Sequence, residues 1–480
     1  MNDPVSLFLL AIAGIFLIGS IGELIFQRTN IPDVIWLILA GIILGPVTGL
    51  ITRPLLSSIA PYFAALTLVV VLFDGGSALR LTELKKSASR SSVLAACTFG
   101  ASLVGIALLG GIFGLASERS HEWFGVERFL PEQWGWMHGV LLATILAGSS
   151  SIIIMPAMAA AKVDSKIANL VNLESAVTDA LCVVGTAAVI DIMMGSAQGS
   201  SPIVVLLQSF GIGAGIGIAA GLIWLLFLRA LKDAQHAYPF TLAALLILYV
   251  IIDKAGGSAA FGILAVAIIL GNAKLIGGAV GLKEDVELGM GVRGFHAQMA
   301  FIIKSFFFVF IGAMLGPPWG AVILGILLGV SLLLLRIPAV NLALIGSGCT
   351  KTEHRMVHVA MPRGMAAGVL ATLPISRGVP GISRESFPVM VFTAVFVSIL
   401  LFAIGFPLAK NRLALAKIAE AKPEVAPTPE PTQPQPLLSE TDPPTKSLPA
   451  TSGLEQENEF VNASPPRETN AEPAKEEPSS

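Results

Sequence analysis

The chain has 480 residues, of which 54% are hydrophobic and only 13% are charged. A soluble globular domain keeps about a quarter of its residues charged. The composition, with a mean hydropathy of +0.79, therefore excludes an ordinary soluble protein and predicts a polytopic membrane protein. The formal net charge of −2 is unevenly divided, because residues 420–480 hold 12 acidic and 4 basic residues and leave the preceding part positive.

Thirteen apolar windows follow one another before residue 410, and each is compatible with a membrane-spanning helix of about 20 residues. We therefore predict an all-α membrane domain over residues 1–419 with about thirteen transmembrane helices. The windows, numbered below as spans one to thirteen, are residues 5–26, 31–51, 58–79, 91–116, 137–161, 168–194, 202–228, 237–252, 258–272, 296–315, 320–346, 356–373 and 386–409. No basic segment precedes span one, so we interpret it as a spanning helix and not as a cleaved signal peptide.

Basic residues concentrate in every second connection, which predicts the orientation because cytoplasmic loops carry an excess of Lys and Arg. The richer set holds Arg28, Arg80, Lys85, Lys86, Arg90, Lys162, Lys166, Arg229, Lys232, Lys274, Lys283, Arg293, Lys351, Arg355, Lys410, Arg412 and Lys417. The alternate connections hold only Arg53, Arg119, Arg128, Lys254, Arg377 and Arg384. We expect a bacterial-type inner membrane with the N-terminus outside. Connection 117–136 is then the longest outer loop, with Trp123, Trp134 and Trp136 as interfacial anchors.

The last part of the chain changes character abruptly at residue 420. Prolines come close together between Pro423 and Pro436, and Ser, Thr and Glu dominate from there to the end. Such a segment cannot bury enough apolar surface to fold. Residues 420–480 are therefore predicted to form a disordered, acidic, proline-rich cytoplasmic tail.

Cysteines and histidines give no sign of a metal cofactor or an enzyme. Cys97, Cys182 and Cys349 lie far apart in or beside apolar segments, which favours small packing residues over disulfides or zinc ligands. The six histidines show no grouped metal-ligand spacing. We expect no cofactor, no catalytic residues and no nucleic-acid partner; the expected surroundings are membrane lipid.

Span six contains two carboxylic acids, Glu174 and Asp179, within an apolar helix. A carboxylate near the bilayer centre costs at least about 2.5–3.5 kcal/mol on insertion scales, so acids at this depth are functional candidates. The two acids are five residues apart, about 140° around a helix axis, and therefore face different partners. Ser175 shares a face with Asp179.

Spans five and twelve are interrupted by residues that loosen a helix. Span five contains Ala147-Gly148-Ser149-Ser150-Ser151 followed by Pro156, and span twelve contains Pro362-Arg363-Gly364. Discontinuous helices at matching places in two halves mark the binding site of many transporters. If spans one to six repeat as spans eight to thirteen, the two interruptions correspond. Because the halves start on opposite sides, the repeat is inverted.

Two bases, Lys304 in span ten and Arg336 in span eleven, lie at the same depth as the acids. Acids and bases in one hydrocarbon slab should pair, because an unpaired buried charge is far costlier than a paired one. Structural pairing is the simpler interpretation for Glu174 and Arg336. Asp179 is the better candidate for ion binding: a carboxyl group that holds a proton in one state and a cation in the other gives competition at one site. Serine hydroxyls and freed carbonyls of the broken fifth span would complete an oxygen shell for a monovalent cation.

Five runs of residues, in order along the chain, resemble the monovalent cation/proton antiporters of the sodium/proton exchanger superfamily, nearest its NhaP-like branch. The runs are Gly41-Ile42-Ile43-Leu44-Gly45-Pro46, Leu72-Phe73-Asp74-Gly75-Gly76, Leu173-Glu174-Ser175 through Asp179, Phe306-Phe307-Phe308-Val309-Phe310-Ile311-Gly312 and Met361-Pro362-Arg363-Gly364. Each run is weak alone, and together they cover almost all of the membrane domain.

The resemblance implies a homodimeric thirteen-helix antiporter with a dimerisation domain and a six-helix core, in which helices five and twelve are unwound and cross. It implies alternating access with Asp179 as the exchanged carboxylate and Ser175 as a cation ligand. Ser149 and Ser150 would be ligands from the unwound helix, and Glu174 the acid that pairs with Arg336.

The sequence departs from the family pattern at two ligand positions. Thr178 stands where the family often has Asn before the essential Asp, and Ser149-Ser150-Ser151 aligns with a common Thr-Asp-Pro. One anionic ligand fewer weakens the field at the site, which leaves both Na⁺ and K⁺ open. Lys304 is an added base, and it and Arg363 are further intramembrane candidates. Lys304 could hold Asp179 deprotonated or balance charge.

We therefore expect exchange of Na⁺ or K⁺ for H⁺ through Asp179, with electroneutral one-for-one stoichiometry. Two alternatives have the same general architecture. A channel-like or ligand-gated cation efflux system would show flux without proton coupling, and a sodium-coupled organic-solute symporter would show Na⁺-dependent solute uptake.

Overall fold

The computed structural model describes residues 4–29, 31–78, 81–124, 130–131, 133–195, 202–230, 237–279 and 290–420. The helices are α1 (Pro4–Thr29), α2 (Asp33–Ile42), a π-helical turn (Ile43–Val47), α3 (Arg53–Ala78), α4 (Leu81–Phe124), α5 (Trp136–Leu146), α6 (Ser151–Ala160), α7 (Ser165–Met193), α8 (Pro202–Ala230), α9 (Ala237–Lys254), α10 (Ala259–Gly271), α11 (Ala273–Ala279), α12 (Met290–Met314), α13 (Trp319–Ala343), α14 (Lys351–Val359), α15 (Met365–Leu370), α16 (Leu373–Ser376) and α17 (Ser386–Glu420). The described part ends at residue 420, the first residue of the predicted tail. The disorder of the tail therefore stays a prediction.

Within the described residues, seven helices are long and apolar enough to cross a membrane. They are Ser58–Ser77, Arg90–Arg119, Trp136–Ala160, Ser165–Met193, Leu207–Phe227, Trp319–Ala343 and Ser386–Asn411. Shorter apolar helices cover Ile12–Phe26, Asp33–Val47, Ala259–Gly271, Gln298–Met314 and Met365–Ser376. The prediction of an all-helical, multi-pass membrane protein is confirmed.

The helix α4 is longer than its apolar window, and the predicted outer loop 117–136 is correspondingly too long. Helix α4 continues to Phe124, because charged residues such as Lys, Arg and Glu are good helix formers and an apolar window marks only the part buried in lipid. Trp134 differs from a simple interfacial anchor: its Nε1 donates to Gly110 O at 3.0 Å, and its ring stacks on His138. Trp136 is 51% exposed, and the side chain of Trp123 lies outside the described part.

Packing divides the helices into two groups. In the first helix group, α4 to α7 pack on one another and on α13, α14, α15 and α17. In the second helix group, α1, α2 and α3 pack with α8, α9, α10 and α12. Contacts between the groups are sparser and come mainly from α15 on α3, α10 on α7 and α12 on α17. The two interrupted spans both belong to the first helix group.

The glycines in two of the sequence runs serve helix packing. A Cβ on Gly41 in α2 would overlap the carbonyl of Val309, and a Cβ on Gly312 in α12 would overlap the carbonyl of Ile38. Glycine at both positions lets the backbones of α2 and α12 approach closely. These runs therefore shape the second helix group and contribute no polar side chain to the interrupted spans.

Candidate functional site

The candidate site forms where the two interrupted spans lose their helical structure. Helix α5 ends at Leu146 and α6 begins at Ser151, while α14 ends at Val359 and α15 begins at Met365. Glycine and serine are poor residues for a helix interior, and a proline such as Pro362 disfavours the α conformation of the residue before it. Four helix ends, two carboxyl-terminal and two amino-terminal, thus border the two breaks.

The breaks contact each other directly. The backbone N–H of Ser150 donates to Pro362 O at 2.8 Å. Arg363 Nη1 donates to Ala147 O at 3.1 Å, and the Arg363 N–H donates to Ser398 Oγ in α17 at 2.8 Å. Backbone groups that leave a helix must find other partners when water is excluded. Here each break supplies hydrogen-bond partners to backbone groups of the other.

Helix α7 binds the first break through two hydroxyls. Ser175 Oγ donates to Ser149 O at 2.6 Å, and Thr178 Oγ1 accepts from the Ser149 N–H at 3.3 Å. Thr178 Oγ1 also donates to Ser175 O at 3.1 Å. Ser175 and Thr178 are three residues apart, so they share the helix face that meets the break.

Asp179 lies next to this face, half-buried against the backbone of the break. A Cβ built on Gly148 would lie 3.0 Å from Asp179 Oδ1 and 2.9 Å from Cys182 Sγ. Gly148 therefore gives the carboxylate its space. Among the described residues, the buried hydroxyl of Ser149, which follows Gly148, finds no hydrogen-bond partner.

The oxygen atoms at the break could hold a monovalent cation. Unwound backbone and hydroxyl oxygens are the ligands that transporters offer to Na⁺ at such sites. Over the described ranges, no three His, Cys, Asp or Glu side chains come together. The available donors are one carboxylate and several neutral oxygens. Ser151, a further sequence candidate, begins α6 at the edge of this group and is half-buried.

Glu174 faces another direction and binds Arg336 of α13. Arg336 Nη1 and Nη2 donate to the two Glu174 oxygens at 2.8 and 2.7 Å, in the bidentate geometry that gives strong pairs. Thr98 Oγ1 of α4 donates to Glu174 Oε1 at 2.9 Å, and Arg336 Nε donates to Val357 O at 3.0 Å. The pair thereby links α4, α7 and α13 to the carboxyl-terminal end of α14.

Lys304 lies in the second helix group, away from this pair. Its Nζ is 2.6 Å from Asp33 Oδ2 at the start of α2 and 5.4 Å from the centre of the Phe301 ring. Asp33 is thus the partner that the sequence did not identify. The basic group that reaches the break beside Asp179 is Arg363, whose Nη1 donates to Ala147 O.

The sequence singled out Ser149, Ser150, Ser175, Thr178 and Asp179, and the structure brings them together around the first break. The sequence alone did not assign a contact to Gly148, Ala147 O or Thr98. The glycine in Ala147-Gly148-Ser149 was a usable signal, since a small residue beside a buried acid allows close approach of the backbone. Thr98 had no such signal in an apolar helix.

Comparison with known proteins gives one consistent match. The family described as "Sodium/hydrogen exchanger, transmembrane" matches residues 1–410. The protein named Na⁺/H⁺ antiporter 1 of Methanocaldococcus jannaschii is 25% identical over 361 residues, which cover 74% of this chain and 80% of that protein. The K⁺/H⁺ antiporter NhaP of Alkalimonas amylolytica is 23% identical over 392 residues, 79% of this chain and 62% of that protein.

The fold agrees with the family match. The structure of the sodium proton antiporter MjNhaP1 from Methanocaldococcus jannaschii at pH 8 superposes with a TM-score of 0.66 and 22% identity, covering 85% of this chain and 99% of that chain. At this identity the likeness shows a shared fold. Since the family match spans the whole described membrane part up to residue 410, the chain belongs to the sodium/hydrogen exchanger family.

Proposed function

We propose that the chain is a secondary active antiporter that exchanges Na⁺ or K⁺ for H⁺, with Asp179 binding each of them in turn. The observation that carries the proposal is the position of the Asp179 carboxylate. It lies against the break at Gly148, next to the helix face whose hydroxyls bind Ser149. The relatives' names include both Na⁺/H⁺ and K⁺/H⁺ antiporters, which supports the reaction and leaves both cations as candidates.

Coupling follows from competition for one carboxylate. A proton and a monovalent cation both bind through the negative charge of Asp179, and each of them neutralises that charge. Because both act on Asp179, binding of one excludes the other. Release of a proton on one side can then be linked to uptake of a cation from the same side.

The ligand set favours a weakly bound cation. One carboxylate supplies one negative charge, and the other oxygens, of Ser149, Ser150, Ser175 and Thr178, are neutral. The unpartnered Ser149 hydroxyl among the described residues offers a lone pair without breaking an existing bond. A site with two carboxylates would prefer Na⁺ to K⁺ more strongly. With one carboxylate the electrostatic field is weaker, and the preference for Na⁺ over K⁺ is smaller.

Alternating access is proposed as a movement of the first helix group against the second. Support comes from the dense packing within each group and the sparser contacts between them. The proposal includes thirteen transmembrane helices in an inverted repeat, with helices five and twelve crossing where the breaks are hydrogen-bonded to each other. It includes a homodimer in a bacterial-type inner membrane, with the N-terminus outside, a transmembrane domain over residues 1–419 and a cytoplasmic tail over residues 420–480.

The direct test is cation-induced dequenching of a pH-sensitive dye in proteoliposomes that contain the full-length protein. Li⁺, Na⁺, K⁺ and Rb⁺ are added in turn, and we expect Na⁺ or K⁺ to drive proton movement. Protein-free liposomes are the control. No proton response to any of the four cations would contradict antiport, and Na⁺-dependent uptake of a labelled solute would identify a symporter instead.

Exchange is expected to be independent of membrane voltage. Asp179 carries the same net charge whether it holds a proton or a monovalent cation, so a one-for-one cycle moves no net charge. We expect equal initial rates with the potential clamped at zero and at an imposed value. A clear dependence of the rate on voltage would show another stoichiometry.

A further inference from the structure

Arg363 is the most unusual charged group in the described part of the chain that the proposed transport cycle does not yet use. Its side chain is 1% exposed. Its Nη1 caps the carboxyl-terminal end of α5 by donating to Ala147 O at 3.1 Å, where the helix dipole favours a cation. Within the described ranges, its buried Nε finds no hydrogen-bond partner.

A buried guanidinium needs a negative partner, because an uncompensated charge in a low-dielectric interior is strongly destabilising. Arg336 is nearby and has the same charge, and it already holds both oxygens of Glu174. Asp179 is the other carboxylate at this place: its Oδ1 lies 3.0 Å from the Cβ position of Gly148, the residue that follows Ala147, to which Arg363 is bonded. The two acids and two guanidiniums therefore balance only when Asp179 is negative.

We propose that Arg363 is the resident counter-charge of Asp179, a positioning residue that sets the pH range in which the carboxylate gives up its proton to a cation. The inference rests on the proposed antiport. Arg363 stabilises the Asp179 carboxylate when neither proton nor cation is bound, and it opposes the binding of both.

The neighbouring groups do not offer an alternative counter-charge. In the described part of the chain, the other charged or titratable groups around Asp179 and Arg363 are Glu174 and Cys182 on α7 and Arg336 on α13. Lys304 is bound to Asp33 in the second helix group. Arg363 thus takes the role that the sequence alone left open for Lys304.

The sign of the effect is fixed by electrostatics. Removing the positive charge makes the anionic form of Asp179 less favourable, so the proton is held more tightly and exchange begins at higher pH. Loss of a nearby opposite charge changes the pKa of a carboxyl group by about one to three units. The cation also loses a repelling neighbour, so the apparent KM for it at high pH should fall.

The test compares Arg363→Gln, Arg363→Met and Arg363→Lys in the proteoliposome assay over a pH series. We expect the two neutral variants to shift the half-maximal pH upward by about one to three units and to lower the apparent KM at high pH. Arg363→Lys keeps the charge but loses the planar fork, so it should keep the wild-type midpoint with a reduced maximal rate. A purely structural role would lower the rate in all three variants without moving the midpoint.

Controls separate this inference from the proposed function. Arg377→Gln removes an exposed arginine paired with Asp253 and should leave the midpoint unchanged. If the wild-type protein shows no exchange, the proposed function fails; if it exchanges and the neutral variants keep its midpoint, only the role of Arg363 is refuted. If neither neutral variant folds, rescue of folding and exchange by lysine supports the need for charge, and failure of lysine to rescue contradicts it.

Discussion

Asp179→Asn is expected to reduce cation-driven proton movement to the level of protein-free liposomes. Asparagine has nearly the same shape as aspartate, so the packing against Gly148 and Cys182 should survive. The amide neither binds and releases a proton at physiological pH nor supplies a negative charge for a cation. Both halves of the exchange cycle are lost together.

The matched control for this variant is Asp191→Asn. Asp191 lies on the same helix, twelve residues further on and thus about 18 Å away along the axis. It lines a separate cavity of about 410 Å³ with Tyr249, Asp253 and Arg377. The control should keep exchange, and both proteins should show the wild-type unfolding temperature. Full exchange by Asp179→Asn would refute the central role of this carboxylate.

The parts of the site that could be predicted from sequence are those at which a few neighbouring residues carry a large free-energy cost in a membrane helix. Glu174 and Asp179 stand out because acids are expensive in an apolar helix. The breaks stand out because glycine, serine and proline weaken a helix wherever they occur. Each of these signals is contained in a few consecutive residues.

The parts that could not be predicted depend on which helices meet. Lys304 and Asp33 are 271 positions apart, and no periodicity in either helix indicates that they pair. The bond from Arg363 to Ala147 O spans 216 positions and exists only because the two breaks touch. Charge balance predicts that acids and bases at one depth pair. It does not predict whether Lys304 or Arg363 lies near Asp179.

The apolar windows also did not predict where the helices begin and end. Helix α4 begins at Leu81 and ends at Phe124, well outside its window of residues 91–116. The window depends on transfer into lipid, whereas the helix depends on backbone hydrogen bonds that continue into water. The two boundaries coincide only where a helix breaker such as glycine or proline stands at the membrane surface.

Replacing Glu174 should have the largest effect on stability. Glu174→Gln keeps the shape but leaves Arg336, only 2% exposed, as a buried charge without its partner. Breaking a buried pair in this way costs about 3–5 kcal/mol, because the cost is that of the uncompensated charge and not the worth of the pair. We expect a corresponding loss in the free energy of unfolding, measured by equilibrium unfolding in detergent micelles.

A second variant shows where this cost arises. Glu174→Gln combined with Arg336→Met removes both charges, and apolar replacement of a buried pair is often neutral, so most of the lost stability should return. The part not recovered belongs to the lost bond from Arg336 to Val357 O, because a glutamine oxygen can still accept from Thr98. The exposed pair of Asp253 and Arg377 is the control, and Asp253→Asn should cost no more than about 1 kcal/mol. If the double variant were as unstable as Glu174→Gln alone, the instability would come from lost bonds between helices and not from the buried charge.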